Sequence, residues 1–101
     1  MITEVSDVSA LNEGNVLVDF YTDTCAPCKA MNPILEEISE EYADVKVAKV
    51  DVVRNPDMSQ MFGVMSVPTF IFIKNRRVKS TIQGLSNKQA LKLMIKKGIN
   101  D

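Results

Sequence analysis

Residues 15–28, NVLVDFYTDTCAPC, decide how this chain folds. Asn15–Tyr21 is a short run of apolar and β-forming residues following Gly14, as expected of a buried strand. From Pro27 to about Tyr42 the period becomes helical. Met31, Ile34, Leu35, Ile38 and Tyr42 fall on one face, while Glu36, Glu37, Glu40 and Glu41 lie largely elsewhere. Pro33 sits inside this helix and removes one backbone donor, so a kink is expected there. Cys25-Ala26-Pro27-Cys28 therefore stands where a strand hands over to a helix.

That placement carries more than the spacing does. The first amides of a helix lack internal partners, and the helix dipole adds partial positive charge. A thiolate at Cys25 is stabilised there, which lowers its pKa and makes it the attacking sulfur. Cys28 lies three residues on, on the same side of the helix, within reach of a disulfide. Such a bridge closes a very short loop and removes little entropy from the unfolded chain, so fold stabilisation explains it poorly. Reversible thiol–disulfide exchange explains it better. A structural disulfide or two inert buried thiols are the alternatives. With two cysteines and no histidine in the chain, Cys–His catalysis is excluded and a four-ligand zinc site lacks half its ligands.

Outward from this stretch, residues 6–11 suggest a short helix capped by Ser6, and 45–53 a second apolar strand. Asn55-Pro56 reads as an N-cap followed by a first-turn proline, with Gly63 ending a short helix. Thr69–Lys74 and residues 78–83 flank Asn75-Arg76-Arg77 as a hairpin. Ser86 and Gln89 form a capping box for a last helix that buries Ala90, Leu91, Met94 and Ile95. The strand–helix–strand unit implies a parallel pair with a right-handed crossover, to which the hairpin adds antiparallel strands. The expected class is α/β, a mixed sheet with helices on both faces, residues 1–101 forming one domain.

A length of 101 residues suits one domain, and 46% hydrophobic with 25% charged residues is ordinary for a globular core. The formal charge of −1 argues against nucleic acid as a partner. Lys96-Lys97 and Arg76-Arg77 read as solvated surface. No stretch approaches a membrane span, and residues 1–5 lack the features of a signal peptide, so a cytoplasmic protein is expected.

The chain resembles the thioredoxin family along nearly its whole length. The segments that carry the likeness are Val16-Leu17-Val18-Asp19-Phe20, Cys25-Ala26-Pro27-Cys28-Lys29, Asn32-Pro33, Val47-Ala48-Lys49-Val50-Asp51, Val67-Pro68-Thr69 and Gly84. The resemblance implies the thioredoxin fold, a central mixed sheet of four or five strands flanked by helices. It also implies a monomeric protein-disulfide reductase with no cofactor of its own, served by a thioredoxin reductase and acting on disulfide-containing proteins. Cys25 would be the nucleophile and Cys28 the resolving thiol. Asp19 matches the family's buried acid, and a carboxylate within an apolar strand is costly to bury charged, so its pKa should rise. An acid at the solvated end of a strand is the alternative. Lys49 matches a lysine near that acid, with an ordinary strand lysine reaching water as the alternative.

Val67-Pro68 matches the family's cis-proline pair, which implies that the Val67 backbone docks an extended peptide. Thr24, Ala26, Pro27, Met65, Val67, Pro68 and Gly84 make up the implied substrate surface, joined by Tyr21 as a further apolar group. Met65 in the core is the alternative; Met31, Met58, Met61 and Met94 are assigned to packing. The departures are Thr24 where the family usually has Trp, Ala26 and Ser66 where Gly is common, and Arg76 in place of the turn Gly. Arg76 should cost about 1 kcal/mol or force another turn type. Two other functions stay open: a glutathione-dependent reductase or disulfide-forming oxidase on the same fold, and a binding subunit without turnover. A dimer sharing a metal or iron–sulfur cluster is a remote fourth reading.

Overall fold

The computed structural model describes residues 2–100. They form β1 (Ile2–Glu4), a 3-10 turn (Val8–Leu11), β2 (Asn15–Tyr21), α1 (Ala26–Glu41), β3 (Val45–Asp51), α2 (Pro56–Met61), β4 (Thr69–Lys74), β5 (Arg77–Gln83) and α3 (Lys88–Asn100). The five strands lie in the order β1-β3-β2-β4-β5. β3 is parallel to both β1 and β2, β4 is antiparallel to β2, and β5 is antiparallel to β4.

Side chains alternate across a strand, so β2, β3 and β4 each serve two cores. Leu17, Val45, Val47, Phe70 and Phe72 pack with Met31, Leu35 and Ile38 of α1 and with Leu91, Met94 and Ile95 of α3. Val16, Val18, Phe20, Ala48, Val50, Ile71 and Ile73 face the other way, against Val5, Leu11 and Met58. Helices therefore cover both faces, and β2 at the centre is buried throughout residues 16–20. Fully burying one such side chain contributes about 1.5–3 kcal/mol.

Several local expectations need correction. β1, which the sequence reading did not include, extends the sheet to five strands. Asp7 rather than Ser6 caps the 3-10 turn, accepting from Ser9 N at 2.9 Å. Asn87 rather than Ser86 caps α3, its Oδ1 accepting from Ala90 N at 2.9 Å. Each true cap lies one residue nearer its helix, where the side-chain oxygen reaches the unpaired amides of the first turn. The second strand ends at Asp51 because Asp51 Oδ1 accepts from Val53 N and Arg54 N and turns the backbone. Ala90 is only half-buried, and Gly98 joins the buried side of α3. Met61 is 63% exposed and packs no core, since α2 turns only Met58 inward.

The hairpin keeps a two-residue turn despite Arg76. Asn75 and Arg76 have φ of 49° and 75°, the left-handed pair that type I′ turns require. Asn75 is held by exchange with Gly14: Asn75 N donates to Gly14 O, and Gly14 N donates to Asn75 Oδ1. Arg76→Gly should stabilise the protein by about 1 kcal/mol, read as a higher urea midpoint with unchanged slope; a lower midpoint would contradict it. At the opposite extreme, a methyl group at Gly98 would overlap the Phe72 ring, because α3 crosses β4 with no room for a side chain there. Gly98→Ala should therefore cost about 2–3 kcal/mol. A variant denaturing with the wild type would disprove that close approach.

Candidate functional site

β2 ends at Tyr21, and the chain reaches α1 through a turn in which Cys25 N donates to Thr22 O at 3.3 Å. Cys25 is the N-cap of α1, with extended backbone (φ −90°, ψ 106°), and Ala26 and Pro27 open the helix. Proline suits this place because its missing N–H would have no helical partner. Cys28 N donates to Cys25 Sγ at 3.1 Å, so the sulfur acts as the capping acceptor. Cys25 and Cys28 are joined in a disulfide, their Cα atoms 5.2 Å apart. The two sulfurs are unequal in access: Cys25 is half-buried, whereas Cys28 is 3% exposed. An incoming nucleophile or substrate meets Cys25 first.

Behind the disulfide lies Asp19, on the α1 side of β2 and fully buried. Neither carboxylate oxygen has a hydrogen-bond partner among the described residues. Burial pushes this carboxyl up to about 7; the Lys49 ammonium pulls it down and Glu4 adds to the rise. The solvated-end alternative for Asp19 is thereby excluded. Lys49 is in register with Asp19 on the neighbouring parallel strand. Its Nζ donates to Asn32 Oδ1 at 2.9 Å and lies 4.3 Å from the centre of the Tyr21 ring. Lys49 is thus an engaged group and not a lysine free in water. A cleft of about 110 Å³ is walled by Tyr21, Thr22, Asp23, Cys28, Lys29, Asn32 and Lys49, which opens a route from solvent to Cys28.

The Val67–Pro68 peptide bond is cis. Phe20 pairs with Thr69, so Pro68 adjoins the end of β2 from which the chain leaves for Cys25. Gly84 N donates to Pro68 O at 2.7 Å, and Gly84 has φ +86°. The Val67 amide and carbonyl have no hydrogen-bond partner among the described residues. Met65 is 92% exposed, which rules out a core role for it. It lines a second hollow of about 240 Å³ with Val52, Ser59, Val64, Ser66 and Val67. Thr24, Ala26 and Pro27 are exposed beside Cys25.

Two contributors, Asn32 and Glu4, escaped the sequence reading as site residues, and Tyr21 was read as apolar surface alone. Asn32 lies four residues after Cys28, a helical spacing that could have marked it as facing the same cleft. Glu4, on β1, accepts from Tyr21 OH at 2.7 Å, and no local signal foretold that long-range meeting. Tyr21 is consequently a polar participant rather than plain apolar surface. Burial and the Glu4 hydrogen bond hold its hydroxyl well above the ordinary tyrosine range.

Asp19 sets a pH dependence with a definite sign. Its folded pKa of about 7 exceeds the ordinary 3.8, so the fold binds this proton more tightly than the unfolded chain does. The associated stability is complete below about pH 4 and lost as pH rises through about 7, roughly 4 kcal/mol in all. Asp19→Asn should remove that decline from denaturation curves of the oxidised protein. Parallel pH profiles for variant and wild type would show that the burial penalty is absent.

The thioredoxin family model matches residues 3–97. Thioredoxin from Listeria monocytogenes is 41% identical, over 96% of this chain and 98% of that protein. Thioredoxin from Bacillus subtilis is 38% identical, over 94% and 92% respectively. Among solved structures, a mutant thioredoxin from Halobacterium salinarum superposes with a TM-score of 0.89 at 32% identity, covering 95% of this chain and 88% of that one. Oxidized mitochondrial thioredoxin 3 from Saccharomyces cerevisiae gives 0.87 at 32% identity, covering 95% and 94%.

Proposed function

The chain belongs to the thioredoxin family of thiol–disulfide oxidoreductases, and we propose the following division of labour within its redox-active pair. The observation that carries this reading is the sulfur of Cys25 capping a 16-residue helix, with Cys28 N–H directed at it. In the reduced protein the same amide and the helix dipole favour the Cys25 thiolate. That thiolate attacks one sulfur of a substrate disulfide, forms a mixed disulfide, and releases the other substrate sulfur as a thiolate. Cys28 then loses its proton and attacks Cys25 Sγ, which frees the second substrate thiol. The protein ends with the Cys25–Cys28 disulfide, oxidised by two electrons, and the substrate is reduced by two.

Asp19 is the acceptor for the Cys28 proton, relayed by solvent entering the cleft. A carboxyl at about 7 suits the task because it is present in both forms near neutrality. Lys49 moderates that acid. Val67, with its backbone unpaired, offers strand-type hydrogen bonds to an extended peptide, and cis-Pro68 and Gly84 shape that edge. Ala26, Pro27 and exposed Met65 give the substrate an adaptable apolar surface. Thr24 places a hydroxyl-bearing side chain beside Cys25, where the family usually has an indole.

The working partner is a thioredoxin reductase, with disulfide-containing proteins as substrates, in the cytoplasm, and the chain acts as a monomer. No helix among the described residues is long and apolar enough to cross a membrane. With a thioredoxin reductase and NADPH, the wild type should reduce insulin, and Cys25→Ser should reduce none above background. Cys28→Ser should instead accumulate mixed disulfides. Normal turnover by the Cys25→Ser protein would refute the reading. A strongly oxidising reduction potential would redirect it to disulfide formation.

A further inference from the structure

Asp19 and Lys49 are directly opposed on neighbouring parallel strands and lie on the same face of the sheet. Neighbouring strands are only about 4.8 Å apart, so a lysine in that position has ample reach to close an ion pair with the acid. No such pair exists among the described residues, and both Asp19 oxygens remain without a partner. The ammonium goes elsewhere. It donates to Asn32 Oδ1 on α1 and rests over the Tyr21 ring, which Glu4 of β1 tethers through the Tyr21 hydroxyl.

We propose that Asn32, together with Tyr21 held by Glu4, positions the Lys49 ammonium in the wall of the cleft and away from Asp19, so that the cation influences the buried acid without pairing with it. A contact ion pair in this buried site would hold the carboxylate charged and take away its capacity to accept a proton near neutrality. A neutral amide oxygen and an aromatic face solvate the ammonium without adding a competing negative charge. Asn32 and Tyr21 are positioning residues: they act through Lys49 and need not touch the sulfurs.

The groups facing this site come from every neighbouring element. Lys49 and, at its strand end, Asp51 belong to β3; Glu4 belongs to β1; Asp23 lies in the loop before Cys25. Cys28 and Lys29 come from α1. On the β4 side Asp19 is opposed by Phe70, which brings no charge. Lys49 is the one cation among them that acts appreciably on Asp19, and Glu4 the one further anion. Among the charged groups, the Lys49 ammonium is therefore the one whose displacement bears most on the acid.

The inference rests on Asp19 serving as the proton acceptor, yet it can be tested without turnover. The carboxyl carbon of Asp19 is titrated by NMR in the oxidised, full-length protein. Asn32→Ala should lower its midpoint by about one unit as the ammonium swings toward the carboxylate. Tyr21→Leu should lower it in the same direction. Lys49→Met should raise it, and adding Asn32→Ala to the Lys49→Met protein should change nothing further. An unmoved midpoint in Asn32→Ala overturns the proposal. An equal fall in the Lys49→Met background overturns it too, since the amide would then act only by keeping water from the acid. Failure of insulin reduction with the titration behaving as stated would instead count against the reductase reading alone.

Discussion

Pairing of β2 on both edges is the constraint from which the site follows. With β3 parallel on one side and β4 antiparallel on the other, the strand cannot slip without turning its apolar residues to the wrong face. That register drives Asp19 into the α1 side of the sheet, where two layers of apolar side chains would otherwise meet. A charged carboxylate is costly in such a place, and the apolar packing of Leu17, Phe70 and Leu35 around that layer outweighs the penalty. The same pairing aligns Lys49 beside Asp19 and Thr69 beside Phe20, so acid, lysine and cis-proline edge share one end of the sheet.

The helix start then differentiates two chemically identical side chains. Cys25 occupies the capping position, half-buried, and accepts the Cys28 amide; Cys28, one turn in, is buried and reached only by way of the cleft. The difference in access and in electrostatic support arises from backbone geometry, which explains why so few polar side chains are needed near the sulfurs. Polar groups gather instead one layer down, around Lys49, where they bear on proton movement.

The central parts of this arrangement were legible because their signals are local. Asn15–Tyr21 and Thr69–Lys74 appear in the structure with the bounds their apolar runs suggest, and the helix after the dithiol departs by a single residue at each end. Cap identities were harder: Ser6-Asp7 and Ser86-Asn87 each offer two adjacent capping types, and only the helix's real starting point selects between them. β1 has three residues and no periodicity, so it becomes a strand only by lying against β3. Glu4 inherits that invisibility, and with it the Glu4–Tyr21 hydrogen bond. Asp19 and Lys49 stood out as charges interrupting apolar strands. Asn32, an ordinary polar residue on a helix, did not.

The sheet has two open margins, and neither invites extension. β1 offers only three residues of free backbone. β5 is longer, but it carries Arg77 and Lys79, and its register with β4 is broken between Phe72 and Ile73. Positive charge and a local irregularity make such a margin a poor template for a neighbouring molecule. Lateral growth into shared sheets, the hazard of any uncovered β-edge in a crowded cell, is thus discouraged at both sides by features that have no part in the redox chemistry.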